Sequence, residues 1–327
     1  MIELLAKLVA VSGVSGNEEK IAQVINEEIK AYVDEIKTDA MGNLICIKKG
    51  TEKRIMLAAH MDETGVIVTH IDDNGFLRFS GMGGINHFYS LHQKVEFYNG
   101  TIGVISYEEQ VENLKDLKPE KMYIDIGVRT REEARKKVGI GDVAAFVGTF
   151  AVNENMVISK ALDDRAGCAV LIETARALKD NNNEIYYVFT TQEEVGLRGA
   201  KTAAYAVNPD LAIVVDVTNP GDTPNAKPSL LKIGNGPIIK IMDRASIIHP
   251  EMKELLINSA KALNMNYQLK VATSGGTDAG AISVSREGVP TASIAVPCRY
   301  LHSPVEMIDI NDAINAAKLV EKAIYKL

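Results

Sequence analysis

Apolar positions recur along the chain with two different periods. They have helical spacing in MIELLAKLVAVSG and again in EEKIAQVINEEIKAY, where Ser15 and Glu18 form a candidate capping box. Continuous apolar, β-branched and aromatic runs such as RIMLAAH and EIYYVF are typical of buried strands. Helical and strand patterns alternate from about residue 155 to Leu327. The pattern predicts an α/β fold in which a mostly parallel sheet is covered by helices on both faces.

The pattern changes at about residue 66, where short β-patterned pieces follow one another. The sequence DNG at 73–75 is a hairpin signal, and the glycine spacing indicates a small barrel or sandwich. Two charged stretches within this part, EEQVENLKDL and REEARKKV, predict surface helices. We therefore expect a β-rich, barrel-like domain at 66–154, inserted into an α/β domain that is formed by 1–65 and 155–327.

Composition and charge exclude several classes of partner. The chain has 327 residues, a formal net charge of −7 and no basic run, which argues against nucleic acid and anionic membranes. Glu3 and Lys7 interrupt the apolar start, so it is unlike a signal peptide, and no apolar run reaches the roughly 18 residues of a membrane span. The three cysteines Cys46, Cys168 and Cys298 are far apart, which fits a reducing compartment and predicts a cytoplasmic protein.

Two adjacent carboxylates follow one of the predicted core strands. Glu193 and Glu194 stand in TTQEEVGLRGA, directly after EIYYVF. Such a pair is ordinary in a solvated turn. The alternative is a division of labour, in which one carboxylate binds a metal ion and the other moves a proton.

Other polar residues favour the second interpretation, because they also follow predicted strands. Taken singly, a histidine is often packed in a core, and paired aspartates often cap a helix. Together these residues all fall at the edge where open α/β sheets place their sites. The candidate ligands are His60, Asp163, Glu194, Asp216 and His302.

The residue types indicate the metal. Two histidines with three carboxylates suit zinc, cobalt or manganese. Five ligands exceed the need of one ion, but they suit two ions that share a bridging carboxylate. Glu193 is then free to act as general base and acid. Asp62, two residues after His60, is placed to accept a hydrogen bond from the second ring nitrogen of that histidine.

The motifs HMDETG, KALDDRAG, TTQEEVGLRGA, VVDVT and SGGTDAGA, followed by His302, resemble those of the tetrahedral (TET) aminopeptidases over nearly the whole chain. This family is related to glutamyl aminopeptidases and to proteins mislabelled as endoglucanases. The resemblance implies that His60 and Asp216 bind one metal, that Glu194 and His302 bind the other, and that Asp163 bridges them. It also implies Glu193 as the general base and acid.

The resemblance further implies an activity and an assembly. We expect a metal-dependent aminopeptidase that removes the N-terminal residue from short peptides, with two Zn²⁺ or Co²⁺ ions, or Mn²⁺ in their place. The inserted domain is expected to mediate dimerisation, and dimers are expected to form a dodecamer. The resemblance places part of the substrate pocket at Gly275, Gly276, Thr277 and Asp278.

Three other functions remain open at this stage. A related metal-dependent deacylase or carboxypeptidase would use the same ligands, whereas a non-enzymatic metal-binding protein would not need Glu193. An endoglucanase-type glycosidase would use the paired carboxylates but would leave both histidines unexplained. Arg244, Arg286 and Arg299 are candidates for binding an acidic substrate side chain, although the sequence does not determine the preferred N-terminal residue.

Overall fold

A computed structural model of the protein describes residues 1–226 and 229–327. Within these residues the strands form an eleven-stranded sheet and a closed barrel of six strands. The strands in chain order are β1 (Glu35–Thr38), β2 (Leu44–Lys48), β3 (Arg54–His60), β4 (Gly65–Ile71), β5 (Leu77–Met82), β6 (Lys94–Phe97), β7 (Ile102–Tyr107), β8 (Met122–Asp125), β9 (Val143–Phe146), β10 (Ala151–Asn153), β11 (Met156–Ser159), β12 (Glu184–Thr190), β13 (Leu211–Thr218), β14 (Ile238–Met242), β15 (Gln268–Val271), β16 (Thr291–Arg299) and β17 (Glu306–Asp309). The helices are α1 (Ile2–Val9), α2 (Glu19–Ile29), α3 (His87–Ser90), α4 (Arg131–Arg135), α5 (Leu162–Ala177), α6 (Arg198–Val207), α7 (Pro250–Ala262), α8 (Asp278–Ser283) and α9 (Ile310–Ile324).

The centre of the large sheet is parallel. Strands β12, β3, β13 and β16 lie side by side in this order, and each adjacent pair is parallel. Antiparallel strands extend this centre, with β2 and β1 beyond β12 and with β17, β11 and β10 beyond β16. Strand β14 also pairs with β16, and β15 pairs with β14. The predicted α/β fold is therefore confirmed, and its parallel character is concentrated in the four strands that carry the candidate site.

Helices cover both faces of this sheet. On β3, Ile55 and Leu57 point into a core shared with α1, α2, α5 and α9, whereas Met56 and Ala58 point into a second core against α6 and α8. All four of these side chains are fully buried. Because both faces are covered, the strand reads as a continuous apolar run instead of an alternating one.

The inserted β-rich part is a barrel with its own core. Its strands follow the order β4, β5, β8, β7, β6 and β9, and β9 pairs with β4 to close it. The barrel interior is a separate cluster that includes Val66, Leu77 and Ile124. The predicted hairpin at 73–75 joins β4 to β5, with Gly75 at φ +90°. The barrel-like insertion is confirmed, and β10 already belongs to the large sheet.

Two local predictions are wrong. Ser15 and Glu18 do not form a capping box, because the Ser15 hydroxyl donates to Asp62 Oδ2 at 2.6 Å and Glu18 Oε1 accepts the Gly16 N–H at 2.7 Å. The stretch EEQVENLKDL contains only a 3₁₀ turn at Leu114–Asp116, where the Asn113 side chain accepts the Lys115 N–H at 3.0 Å and so favours a turn over a continuous helix. The second charged stretch does form a helix, α4.

No helix in the described ranges combines the length and the apolar character that a membrane crossing requires. Cys46, Cys168 and Cys298 are free and buried.

A buried ion cluster joins the loop after β3 to the start of α5. The Glu63 carboxylate contacts Lys160 Nζ at 2.6 Å and Arg165 Nη2 at 3.5 Å, and it accepts the Gly13 N–H at 2.8 Å. All three charged side chains are buried. Since His60 and Asp163 lie within three residues of members of this cluster, the cluster fixes the two segments that carry them.

Replacing Glu63 by Ala should destabilise the fold strongly. Lys160 and Arg165 would be left in a buried environment without this counterion, and breaking a buried pair in this way costs about 3–5 kcal/mol. Urea denaturation followed by circular dichroism measures the loss. Glu27→Ala is the matched control, because the Glu27–Lys30 pair is exposed and is worth at most about 1 kcal/mol. Equal denaturation midpoints for the two variants would contradict the role assigned to the cluster.

Candidate metal centre and active site

The candidate ligands meet at the carboxyl ends of the parallel strands. His60 is the last residue of β3, and it is level with Thr190, the last residue of β12. Glu194 follows β12 by four residues, Asp216 lies near the end of β13, and His302 lies in the loop after β16. The parallel register brings these ends to one edge, as the sequence predicts.

Three of the side chains form a first ligand group, called the His60 group, which consists of His60, Asp163 and Asp216. His60 Nε2 lies 3.0 Å from Asp163 Oδ1 and 3.9 Å from Asp216 Oδ1. One donor atom from each residue lies within 4.8 Å of the others, and all three residues are buried. The group therefore presents one imidazole nitrogen and two carboxylate oxygens to a common point.

A second ligand group, called the His302 group, consists of Asp163, Glu194 and His302. His302 Nε2 lies 3.4 Å from Asp163 Oδ2 and 3.4 Å from Glu194 Oε2. Asp163 thus directs one carboxylate oxygen towards each group. This division of ligands is the one that the sequence resemblance implies.

The charges of the two groups suit divalent cations. Burial and the neighbouring Asp163 raise the pKa of Glu194 to about 8, and burial also raises the pKa of Asp216. Glu194 Oε1 is buried without a hydrogen-bond partner. Burial disfavours charge on both histidines, yet hydrogen bonds to Asp163 raise the pKa of His60 well above its usual value and that of His302 to about 10. Crowded carboxylates attract protons when no cation is present, and imidazole with carboxylate is a donor set for zinc, cobalt or manganese.

Asp62 connects the first ligand group to the loop after β12. Its main-chain oxygen lies 3.1 Å from His60 Nδ1, and its Oδ1 lies 3.5 Å from the same nitrogen. The same carboxylate accepts the N–H of Glu193 at 3.0 Å and the N–H of Glu194 at 3.2 Å. Contacts at Nδ1 leave His60 Nε2 directed at the ligand group.

Glu193 lines a cavity of about 1030 Å³ next to both groups. Burial raises the pKa of its carboxyl well above the usual value, and the nearby carboxylates of Asp278 and Asp216 add to this shift. Charged side chains of both signs stand in the same cavity wall, namely Lys240, Asp243 and Lys270. The cavity thus has the Glu193 carboxylate beside the ligand groups and a wall that carries charges of both signs.

The predicted pocket residues divide into two pairs. Gly275 and Gly276 line the cavity. Thr277 instead caps α8, where its hydroxyl accepts the Ala279 N–H, and the Asp278 carboxylate is buried and accepts the Thr190 hydroxyl. The last two residues therefore shape the loop from behind the cavity wall.

The arginine candidates have other partners. Arg299 forms a two-pronged ion pair with Asp222 at 2.8 Å, and Arg286 donates to the Tyr205 carbonyl. Neither they nor Arg244 belong to the described cavity lining. Arg286 and Arg299 are therefore engaged by other groups, and the role suggested for Arg244 stays a prediction.

One residue that supports the ligands was not found from the sequence. Glu306 is buried, and its two oxygens accept the Asp163 N–H at 2.9 Å and the His302 N–H at 2.7 Å. Glu306 stands four residues after His302, in HSPVE. Its position near a candidate ligand is the only feature of the sequence that points to this role.

Comparisons with known proteins find relatives over nearly the whole chain. Residues 42–319 match the M42 glutamyl aminopeptidase family. A protein of Acetivibrio thermocellus that is named as an aminopeptidase is 55% identical, over 99% of this chain and 98% of that one.

Two solved structures share the fold. Aminopeptidase APDkam598 from the archaeon Desulfurococcus kamchatkensis is 38% identical, with a TM-score of 0.96 over 100% of this chain and 94% of that chain. The TET1 peptidase of Pyrococcus horikoshii, which can assemble into a tetrahedron or a large octahedral shell, is 35% identical, with a TM-score of 0.88 over 100% and 99% of the two chains. These matches confirm the resemblance drawn from the sequence: the chain belongs to the M42 glutamyl aminopeptidase family and is a metal-dependent aminopeptidase.

Proposed function

We propose that this enzyme uses two divalent metal ions, zinc or cobalt with manganese as a third candidate, to release the N-terminal residue of short peptides. The observation that carries the proposal is the position of Asp163, whose two oxygens face two separate ligand groups. His60 and Asp216 would complete one ion site, and Glu194 and His302 the other. When bound, such ions lower the pKa of water and polarise a carbonyl group.

Within this proposal Glu193 is the general base and acid. Its carboxylate takes a proton from the attacking water and returns it to the nitrogen of the departing peptide. The Glu193 N–H is held by Asp62, which also contacts His60, so base and ligand have a fixed relative position. Gly275 and Gly276 would allow the substrate backbone to approach the cavity wall closely.

We propose that the protein is a cytoplasmic homo-oligomer. Three free, buried cysteines suit a reducing compartment. The barrel is the candidate dimerisation domain, for which 66–154 remains the predicted range, between the two segments 1–65 and 155–327 of the catalytic domain. The tetrahedral assembly of the TET1 peptidase of Pyrococcus horikoshii supports a dodecamer built from dimers for this chain.

Removal and return of metal should abolish and restore cleavage of aminoacyl-p-nitroanilides. The panel should carry Leu, Ala, Glu, Asp and Lys at the first position, because the cavity wall has both signs of charge. Protein treated with chelator should regain activity with Zn²⁺, Co²⁺ or Mn²⁺, and metal analysis should find two ions per chain. Cleavage that persists in chelator would contradict the metal dependence in the proposal. Cleavage of N-blocked substrates alone would favour the deacylase or carboxypeptidase.

Replacing Glu193 by Gln should remove proton transfer while the ligands stay in place. We expect kcat to fall by about 10²–10⁴-fold, the usual contribution of a general base. The metal content should not change, because Glu193 lies outside both ligand groups. Glu251→Gln, on the exposed side of α7, is the control and should behave like the unaltered enzyme. An unchanged kcat in Glu193→Gln would contradict the assignment of Glu193 as the general base and acid.

A further inference from the structure

The barrel, and not only the large sheet, contacts the ligands. The segment Gly83–Gly84 directly follows barrel strand β5. The Gly84 carbonyl oxygen lies 3.0 Å from His302 Nδ1. A carbonyl oxygen only accepts, so this contact requires a proton on Nδ1, and it leaves Nε2 to face Asp163 and Glu194. A residue of the barrel thus selects the ring nitrogen that His302 offers to its ligand group.

The two glycines also touch this group closely enough to exclude larger residues. A Cβ atom on Gly84 would lie 2.9 Å from His302 Nδ1. A Cβ atom on Gly83 would lie 2.8 Å from Thr64 Cγ2 and 3.1 Å from Glu194 Oε2, and Gly83 has φ +85°. The barrel segment therefore lies against both ligands that belong to the His302 group alone.

The His60 group has a different support. His60 receives its Nδ1 contact from Asp62, and Asp216 lies within central strand β13. Asp216 Oδ1 accepts the N–H of Val217, its neighbour in the same strand. These contacts come from the large sheet and its loops. The two groups share Asp163 but differ in what holds their remaining ligands.

We infer that the Gly83–Gly84 segment of the barrel is a positioning element for the His302 group, so that the barrel sets the affinity of one metal ion and leaves that of the other unchanged. The inference rests on the proposed two-ion function. It assigns the inserted barrel a part in metal binding that is separate from subunit association.

The test is the substitution Gly84→Ala, with metal binding as its readout. A shift of His302 or the loss of its Nδ1 contact should lower the affinity of the His302 group for its metal ion. The expected loss is about 10- to 100-fold, the usual effect of losing such a partner. Titration of metal-free protein with Zn²⁺, read by calorimetry and by elemental analysis after dialysis, should show one tight and one weakened site. The substitution Asp216→Ala removes a ligand of the His60 group alone. The double variant Gly84→Ala/Asp216→Ala should therefore bind neither ion tightly and should contain no metal after the same dialysis.

Gly81→Ala, in the preceding strand β5, is the matched control. Its Cβ atom would have no neighbour closer than 3.7 Å, so both affinities should stay at those of the unaltered protein. If circular dichroism shows that Gly84→Ala is misfolded, Gly83→Ala decides in its place, because it acts on Glu194 in the same group. Glu306→Gln is a second comparison, because the Glu306 carboxylate accepts the main-chain N–H groups of both Asp163 and His302. This variant should have a lower affinity for both metal ions.

The inference would be overturned if Gly84→Ala bound both metal ions as tightly as the unaltered protein, or if it lost the same affinity at both sites. Failure of the proposed function is a separate outcome, because unaltered protein that binds fewer than two ions would show it before any variant is compared.

Discussion

The repulsion between buried carboxylates is the constraint on which this site depends. Asp163 and Asp216 are buried, and they converge with the half-buried Glu193 and Glu194 at the wall of the cavity. Without cations, their charge is offset by protons and by the two histidines. Carboxylates of like charge repel one another, so a fold that keeps them together must hold each one by contacts with surrounding residues. The surrounding hydrogen bonds supply this restraint.

The same type of hydrogen bond restrains the site at Asp62 and at Glu306. Main-chain N–H groups of the ligand-bearing loops donate to buried carboxylates that are not ligands. Asp62 accepts from Glu193 and Glu194, and Glu306 accepts from Asp163 and His302. A bond to the main chain holds a loop whatever the side chain binds. The side chains of the candidate ligand groups therefore stay free to bind metal while their backbone is fixed.

The sequence predicts the part of this arrangement that is local. Strand runs, their polar ends and the spacing of the motifs suffice to find the α/β fold, the barrel insertion and the five residues of the two candidate ligand groups. The contacts that cross the chain could not be found in this way. Ser15 pairs with Asp62 instead of Glu18, and Gly84 meets His302 across more than two hundred residues. Such pairs depend on tertiary distance, which a local pattern does not contain.

The contact between Gly84 and His302 has a consequence for how the enzyme is divided into modules. The chain leaves the large sheet after His60 and enters the barrel at Gly65, and it rejoins the sheet shortly before Asp163. The barrel is thus inserted between ligands in sequence and closes onto another ligand in space. A shortened chain with a linker in place of the barrel would retain every side chain of the two candidate ligand groups. It would lack the acceptor that sets the tautomer of His302, so the boundary of the functional unit does not follow the boundary of the insertion.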